Sequence, residues 1–561
     1  MKLEAETITT GVLVIGGGLA GCMAAIRASE LARPENVLVV EKGNVQRSGN
    51  AATGVDHTWS YMPEFHGPLG FTLEHLVEDH MARLGPLQDQ DVIYTIATTI
   101  ADRIKSMESW GFPFKTNGSY DFVQKIHRVP TFLHWAGRDQ KVLFNNELSR
   151  RKIKVINRVM ITDLIKEDGR VTGAIGIGIR EPRLFLFRAR AVVLTAGGIS
   201  RVFCGPTSMD FNRGRYPYAP GDSIALGYRA GAELTGLEFI YTHSGPKNFC
   251  KPGRGSWIGV VEDAAGEPLR EVRAVSDPKK IDLSVESPMD MANAYHQGRA
   301  PIFINCTGNS KEDLEYTKWG LSNEGNTVLL QHMKDTGIDP AVDRVEFTFY
   351  EPEVRGGLVV NAKGETSLSG LFSAGDTMGN IKRGVSPAAF AIGWIAGENA
   401  AKYADLYEQN NPEEFKYFAE DRRRFFQQIL NREDGAAWNE ASAASQDIMS
   451  FYAGEIRYES LLNMGLARLR KVRESALKTL KAENLHDLMR CLEALNLIDV
   501  SEAIILSARE RKESRLTKWE TFARIDYTKE NPDMNRFLIL RSDGGRPSFS
   551  WREPKRRETS K

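Results

Sequence analysis

Three glycines and one acid carry the first chemistry legible in this chain. In GVLVIGGGLAG, residues 11–21, Gly16, Gly18 and Gly21 are spaced Gly-x-Gly-x-x-Gly, and the later run VLVVEKG contains Glu41 and Lys42. Glycines so spaced let a backbone turn tightly and approach a pyrophosphate. The N-terminus of a following helix supplies free N–H groups and positive partial charge, and an acid about 20 residues on binds a ribose hydroxyl. The elements that must position them are an apolar strand before the glycines, a helix of small residues after them, and a second apolar strand ending on Glu41. An ordinary glycine-rich turn leaves Glu41 unexplained, so the expected ligand is a dinucleotide.

The chain has 561 residues, enough for about two to four domains. Its 73 Lys and Arg balance 73 Asp and Glu, so no bulk field draws it to nucleic acid or to an anionic membrane. Hydrophobic residues at 42% and charged residues at 26% suit a globular protein with a full core. No apolar run reaches the roughly 18 residues of a membrane span, and the start MKLEAETITTG has no basic segment leading into an apolar one. The expected location is cytoplasmic. Cys22, Cys204, Cys250, Cys306 and Cys491 form no CxxC pair. No metal ligands, zinc motif, iron–sulfur motif or disulfide framework is therefore expected. Cys22, on the first turn of the nucleotide helix, is expected to pack.

Farther along, RSGNAATG (47–54) is a small-residue loop with one strong cation, followed by helical patterns near 72–84 and 90–110. The stretch 152–178 alternates apolar and polar residues around Asp168-Gly169 and reads as a hairpin, and RARAVVLTAGG (188–198) as a buried strand closing on glycines. Residues 241–345 are charged and weakly periodic, the texture of an inserted domain. SGLFSAGD (369–376) and the helical GVSPAAFAIGWIAGENAAKYA then resume the earlier style. From about 406 onward helical patterns dominate, with amphipathic runs at 456–482 and 484–512. The polar, basic end from Arg541 to Lys561 is expected to be solvated or loosely docked, with a docking segment for a partner as the alternative.

Four of these segments, in order, resemble one superfamily: the flavoprotein subunits of succinate dehydrogenase, fumarate reductase, L-aspartate oxidase and adenylylsulfate reductase. They are GGGLAG with VVEKG, then RSGNAATG, then RARAVVLTAGG with YAPGDSIALGYRAGAEL, then GLFSAGD with SPAAFAIGWIAGENAA. A weaker likeness extends to ARERKESR (508–515). The resemblance implies an α/β fold: an interrupted Rossmann-type FAD-binding domain (1–240 and 346–405), an inserted α+β capping domain (241–345), and a C-terminal helical domain with a basic tail (406–561). FAD would be held by Gly16, Gly18, Gly21, Glu41, Lys42, Arg47, Ser48, Gly49, Ala196, Gly197, Asp222, Gly375, Asp376 and Ser386. Respiratory-type members carry FAD covalently on a histidine in the second segment, where this chain has Gly49, so non-covalent FAD is expected. Within the superfamily, IREPRLFLFRARAVVLTAGG and the RSG form of the flavin loop look most like the adenylylsulfate reductase α subunit, which works with an iron–sulfur partner.

The same resemblance nominates His243, at the end of LEFIYTHSG, as a substrate-binding histidine. It also nominates Arg254 in PGRGSWIG and Arg383 in GNIKRGVSP as cations for an acidic substrate, since a guanidinium binds carboxylate or sulfate through two parallel hydrogen bonds. Trp59 and Trp257 are expected to be core residues. The chain also departs from the family. In YEPEVRGGLVV, Pro352 stands near the position of a family histidine, and Arg355 lies beside Gly356-Gly357 as a further candidate for an anion.

The expected function is an FAD-dependent oxidoreductase exchanging two electrons at flavin N5 with a small anionic substrate lined by His243, Arg254, Arg355 and Arg383. Electrons would pass to or from an iron–sulfur, ferredoxin-like subunit, nearest to the adenylylsulfate reductase type. Alternatives are a succinate/fumarate-type enzyme, an FAD relay subunit of a larger redox complex, and an oxygen-using oxidase of the L-aspartate oxidase type. Assembly stays open between a homo- and a hetero-oligomer.

Overall fold

The computed structural model describes residues 2–122, 130–205, 207, 209–247, 249, 257–269, 288–382, 384–408, 413–516 and 521–557. Arg254, Arg383 and Cys250 lie outside the described residues.

The motif strands lie at the centre of a seven-stranded sheet. Its parallel part runs in the order Lys154–Asn157, Val37–Glu41, Glu4–Ile15, Arg183–Leu194 and Leu371–Ser373. The expected hairpin, Val159–Glu167 with Arg170–Gly178, joins the long strand Arg183–Leu194 antiparallel. Every residue of VLVVE is buried, as a parallel strand covered on both faces requires. The helix after the glycines, Leu19–Ala32, packs against Val385–Asp405, the helix of the returning half. Glycines bring the two backbones together. A Cβ on Gly393 would stand 2.7 Å from the Ala20 carbonyl oxygen, and one on Gly397 2.2 Å from that of Ala24. That contact closes the interrupted domain across more than 350 residues of sequence.

The inserted region builds a six-stranded sheet in the order Val260–Glu262, Ile302–Asn305, Val345–Val354, Ile240–Pro246, Thr521–Phe522 and Arg515–Leu516. It has a core of its own around Trp257, Met291, Ile304 and Phe347. The strand from Val345 stays in this sheet through Val354. The chain therefore returns to the FAD-binding domain at Gly356-Gly357, about ten residues later than the expected boundary at 346.

The C-terminal region contains the helices Glu413–Leu430, Trp438–Tyr452, Glu459–Thr479 and Leu485–Glu510. Its end corrects the expectation of a loose tail. Phe537–Asp543 and Arg546–Arg552 form a hairpin around Gly544-Gly545, both at positive φ, and pair with Leu234–Thr235 next to Gly357–Leu358. Beyond it, Lys555 N–H donates to Asp89 Oδ1 at 2.7 Å, and Arg556 donates to the Gln88 carbonyl at 2.8 Å. The apolar run FLIL of the first strand is wholly buried, which outweighs the basic composition of the residues after it. Among the described residues no helix is long and apolar enough to cross a membrane.

Candidate functional site

The glycine turn is fixed by sterics. Gly16 has φ +96°, and a Cβ on it would lie 2.6 Å from Ala196 Cα; one on Gly21 would lie 1.9 Å from the Gly16 carbonyl oxygen. A Cβ on Gly18, the N-cap of the nucleotide helix, would meet nothing within 4 Å. The first and third glycines thus lock the turn while the middle one faces open space. Glu41 braces it, Oε2 accepting from Gly17 N–H at 2.7 Å and Oε1 from Gly43 N–H at 2.6 Å. From the other side the buried ammonium of Lys141 donates to the Gly17 carbonyl oxygen and contacts Cys22 Sγ at 3.4 Å. Gly17 is therefore clamped between an anion and a cation. Cys22 is packed in the core, as expected.

The other segments converge on this turn. The Thr195 hydroxyl donates to the Gly16 carbonyl at 2.9 Å, and Ala196 N–H donates to Ser223 Oγ at 3.0 Å. Gly197 and Gly375 both sit at positive φ, and Thr377 Oγ1 donates to the Gly197 carbonyl at 3.2 Å. Asp376 is exposed on its glycine turn. Ser386, in the first turn of Val385–Asp405, shares a 3.0 Å hydrogen bond with Thr58 Oγ1, which fixes the segment after the flavin loop to that helix end. In the loop itself Gly49 has φ +94° and Arg47 is exposed, 3.7 Å from Asp139. Ser48 is 2% exposed, yet its Oγ has no hydrogen-bond partner among the described residues. That orphaned hydroxyl, the open space at Gly18 and the free helix N-terminus fit a dinucleotide with hydroxyl and phosphate acceptors.

Two expected cofactor contacts also belong to an ion-pair network of the chain itself. Lys42 Nζ pairs with Asp222 Oδ2 and Glu493 Oε1, each at 2.5 Å, and Asn496 donates to Asp222 Oδ1 at 2.8 Å. Arg201 and Arg490 complete the cluster on Glu493 at 2.8 and 2.6 Å. Burial would raise the Glu493 carboxyl; Lys42, then Arg201 and Arg490, outweigh it and hold it at about 2. Lys42 and Asp222 thereby bind the long helix Leu485–Glu510 to the nucleotide sheet. A single sequence cannot show that ion pair, because its partners lie 180 and 451 residues away.

The structure brings together His243, on one central strand of the cap sheet, and Arg355, just past the end of the other. The register between Ile240–Pro246 and Val345–Val354 slips between Thr242 and Ser244, so His243 sits at a bulge, a device that re-aims a side chain. Its Nε2 lies 3.3 Å from Glu353 Oε1 and 3.2 Å from an Arg355 nitrogen. Glu353 Oε2 also accepts from Arg215 Nε at 2.8 Å and from Arg355 at 3.1 Å, and the Arg355 guanidinium stands 4.7 Å over the Tyr241 ring. Burial opposes a charge on Glu353, but Arg215, followed by His243 and Arg355, holds its carboxyl at about 2. Two residues along the same strand, Glu351 accepts from Gly214 N–H at 3.2 Å; there burial wins over Arg213 and pushes the carboxyl up to about 7. Neighbouring carboxyls driven so far apart can divide labour, one as a fixed anion and one as a proton holder. Pro352, in the histidine position of the family, faces Thr242 in the ladder.

A second group lies where the flavin loop meets the cap. His57 Nδ1 is 2.6 Å from Asp56 Oδ1, and His134 lies beside it, its Nδ1 3.3 Å from the Tyr316 hydroxyl of the cap. Burial, with Asp56 opposing, lowers the His134 imidazole to about 4, so it is neutral at pH 7. Trp59 and Trp257 are buried core residues, as expected.

Sequence reading missed Arg215, Glu351, Glu353, Lys141 and this histidine group. Alternation of Glu351, Glu353 and Arg355 at strand spacing was a signal for the first cluster; nothing local marks Lys141. A cavity of about 500 Å³ lies elsewhere, between the C-terminal helices and Val159–Glu167. Its Arg229, Arg422, Arg424 and Arg473 each face a carboxylate of the chain.

This geometry agrees with the relationships of the chain. Residues 11–389 match the family described as FAD binding domain. The chain belongs to that family. Residues 443–553 of this flavoprotein match a second one, the fumarate reductase flavoprotein C-term. It is 24% identical to a fumarate reductase (CoM/CoB) subunit of Methanothermobacter marburgensis, over 96% of this chain and 98% of that protein. It is 22% identical to the fumarate reductase flavoprotein subunit of Haemophilus influenzae, over 97% of this chain and 94% of that one. Among solved structures, adenylylsulfate reductase from Archaeoglobus fulgidus superimposes with a TM-score of 0.86 at 23% identity, covering 99% of this chain and 97% of that one. The E. coli quinol fumarate reductase superimposes with 0.82 at 18% identity, covering 99% and 98%. The protein is an FAD-dependent oxidoreductase with the succinate dehydrogenase/fumarate reductase flavoprotein fold. FAD is its cofactor.

Proposed function

We propose that the protein exchanges two electrons with a small anionic substrate at its FAD, and passes them to or from an iron–sulfur partner. The single observation behind this reading is the cation set Arg215, His243 and Arg355 gathered on one buried carboxylate, Glu353, at the bulge of the cap sheet. Bound FAD would supply two-electron acceptance and donation at N5. The chain's own part is substrate binding and proton handling. Arg355 presents positive charge and His243 a ring nitrogen to a carboxylate or sulfate, Glu353 keeps them in place, and Glu351 holds a proton near neutral pH. FAD would be non-covalent, with Gly16, Gly18, Gly21, Ser48, Gly49, Ala196, Gly197, Gly375, Asp376 and Ser386 around it. Arg254 and Arg383 remain candidates for the same anion.

Adenylylsulfate reductase-type chemistry is the preferred form and succinate/fumarate chemistry the second. The test is anaerobic. FAD-loaded protein, reduced or oxidised, is mixed separately with adenylylsulfate, sulfite with AMP, fumarate and succinate while flavin absorbance is followed. One of these should change the flavin redox state, and Arg355→Ala should raise its half-saturating concentration at least about tenfold. Reaction with a reduced ferredoxin but with none of the anions would leave the relay reading instead. Peroxide formation without a partner would leave the oxidase. Flavin remaining in the precipitate after acid denaturation would overturn non-covalent binding.

A further inference from the structure

Asp56, His57 and Glu324 each place one ligand atom within 4.8 Å of the other two. Among the described residues this is the one group of three His, Cys, Asp or Glu side chains that converges so closely. The members come from two parts of the chain. Asp56 and His57 follow the flavin loop, and Glu324 caps the end of the cap helix Lys311–Asn323. The two backbones touch there: a Cβ on Gly54 would stand 1.8 Å from the Asn323 carbonyl oxygen, and one on Gly325 2.4 Å from that of Thr53.

We propose that Asp56, His57 and Glu324 form a binding site for one divalent transition-metal ion that joins the flavin loop to the cap. The spacing fits a single ion. Three N or O ligands at roughly 2.1–2.2 Å from one ion lie roughly 3.0–3.8 Å from one another, so the group closes on an ion by side-chain shifts of up to about an ångström. Asp56 is fully buried, and with Glu324 it offers two carboxylate oxygens beside the His57 nitrogen. One imidazole nitrogen with two carboxylate oxygens favours zinc, manganese, iron or cobalt over calcium, which takes six to eight oxygens. His134 stands next to His57 as a polar neighbour, and the cap's Tyr316 hydroxyl lies 3.3 Å from His134 Nδ1. The function of such an ion would be to hold the cap against the flavin loop, and it is independent of the substrate assignment above.

The experiment uses the full-length, FAD-loaded protein after treatment with a chelator. Titration with Co2+, followed by its ligand-field absorption, and with Zn2+, followed by calorimetry, should each saturate at one equivalent per chain. Asp56→Asn, His57→Gln and Glu324→Gln should each weaken binding by at least roughly 10- to 100-fold, with flavin absorbance and circular dichroism retained. His486→Gln, on an exposed helix turn elsewhere, should leave it unchanged. A variant that loses its fold leaves the other two and the wild-type cobalt spectrum to decide. Binding only at millimolar metal, a thiolate-to-cobalt band pointing to Cys204, or wild-type affinity in Glu324→Gln and His57→Gln would overturn the site.

Discussion

The nucleotide cradle and the cap cluster use opposite kinds of interaction. In the cradle, atoms are placed by backbone sterics: Gly16, Gly21, Gly393 and Gly397 leave no room for a methyl group, and hydrogen bonds run mostly to main-chain atoms. In the cap, a few charged side chains gather at and beside two strands to form the proposed substrate site, and the register slip between Thr242 and Ser244 places His243 beside Glu353. On the proposed assignment, replacing cradle residues should remove the cofactor, whereas replacing cap residues should change what the cofactor meets.

The sharpest way to break this comparison is a methyl group at two neighbouring glycines. Gly21→Ala should cost more than about 3 kcal/mol, past the usual range for overpacking, because a Cβ 1.9 Å from a carbonyl oxygen forces the turn apart. Purified protein should be unfolded or free of flavin. Gly18→Ala should leave the melting temperature of the apoprotein unchanged and weaken only FAD binding, since its Cβ enters open space. Equal thermal stability of the two apoproteins would refute the steric account.

In the cap the corresponding change is electrostatic. Glu353→Gln leaves Arg215, His243 and Arg355 facing one another without their shared anion, at a cost of about 3–5 kcal/mol. Sulfate or fumarate at millimolar concentration should recover part of the lost melting temperature in this variant, and sodium chloride at equal ionic strength should not. Absence of recovery would mean that the cluster is purely structural. Between the two regions stands Lys141→Met, which removes a charged donor from Gly17 without adding a clash. FAD affinity should fall by about 1.5–3 kcal/mol, measured by flavin fluorescence, with little change in the cap's response to anions.

The two regions also differ in how far they could be read from sequence. The glycine turn, Glu41 and the returning strand lie within short segments whose spacing is itself the signal, so the fold and FAD were legible. Even there the ion pairs of Lys42 with Asp222 and Glu493 left no local trace, because Glu493 sits on a helix more than 250 residues beyond Asp222. The tail from Arg541 was misread from composition: its basic charge hid a Gly-Gly turn and the second strand of a hairpin whose first strand begins with the buried run FLIL. In the cap, Arg355 and His243 were found individually, but their meeting depends on strand register and a bulge, which leave no local trace. The substrate is written in such long-range pairings, and so it stayed open.

The smallest predicted effect tests whether the two cap carboxyls have separate roles. Glu351 is raised from its ordinary 4.5 to about 7, chiefly by burial. A raised carboxyl binds its proton more tightly in the folded state. Its stabilising contribution is therefore full below about pH 4.5 and is lost as pH rises through about 7. Glu353, held at about 2, acts in the opposite sense: its contribution is present above about pH 4.5 and is lost as pH falls toward 2. Glu351→Gln keeps the neutral side chain and removes the ionisation, so its stability relative to wild type should rise by on the order of 1–2 kcal/mol between pH 5 and pH 8. Denaturant melts at the two pH values measure it. Parallel wild-type and variant curves would show that Glu351 ionises like a surface acid and cannot be the group that holds the proton beside Arg355 and His243.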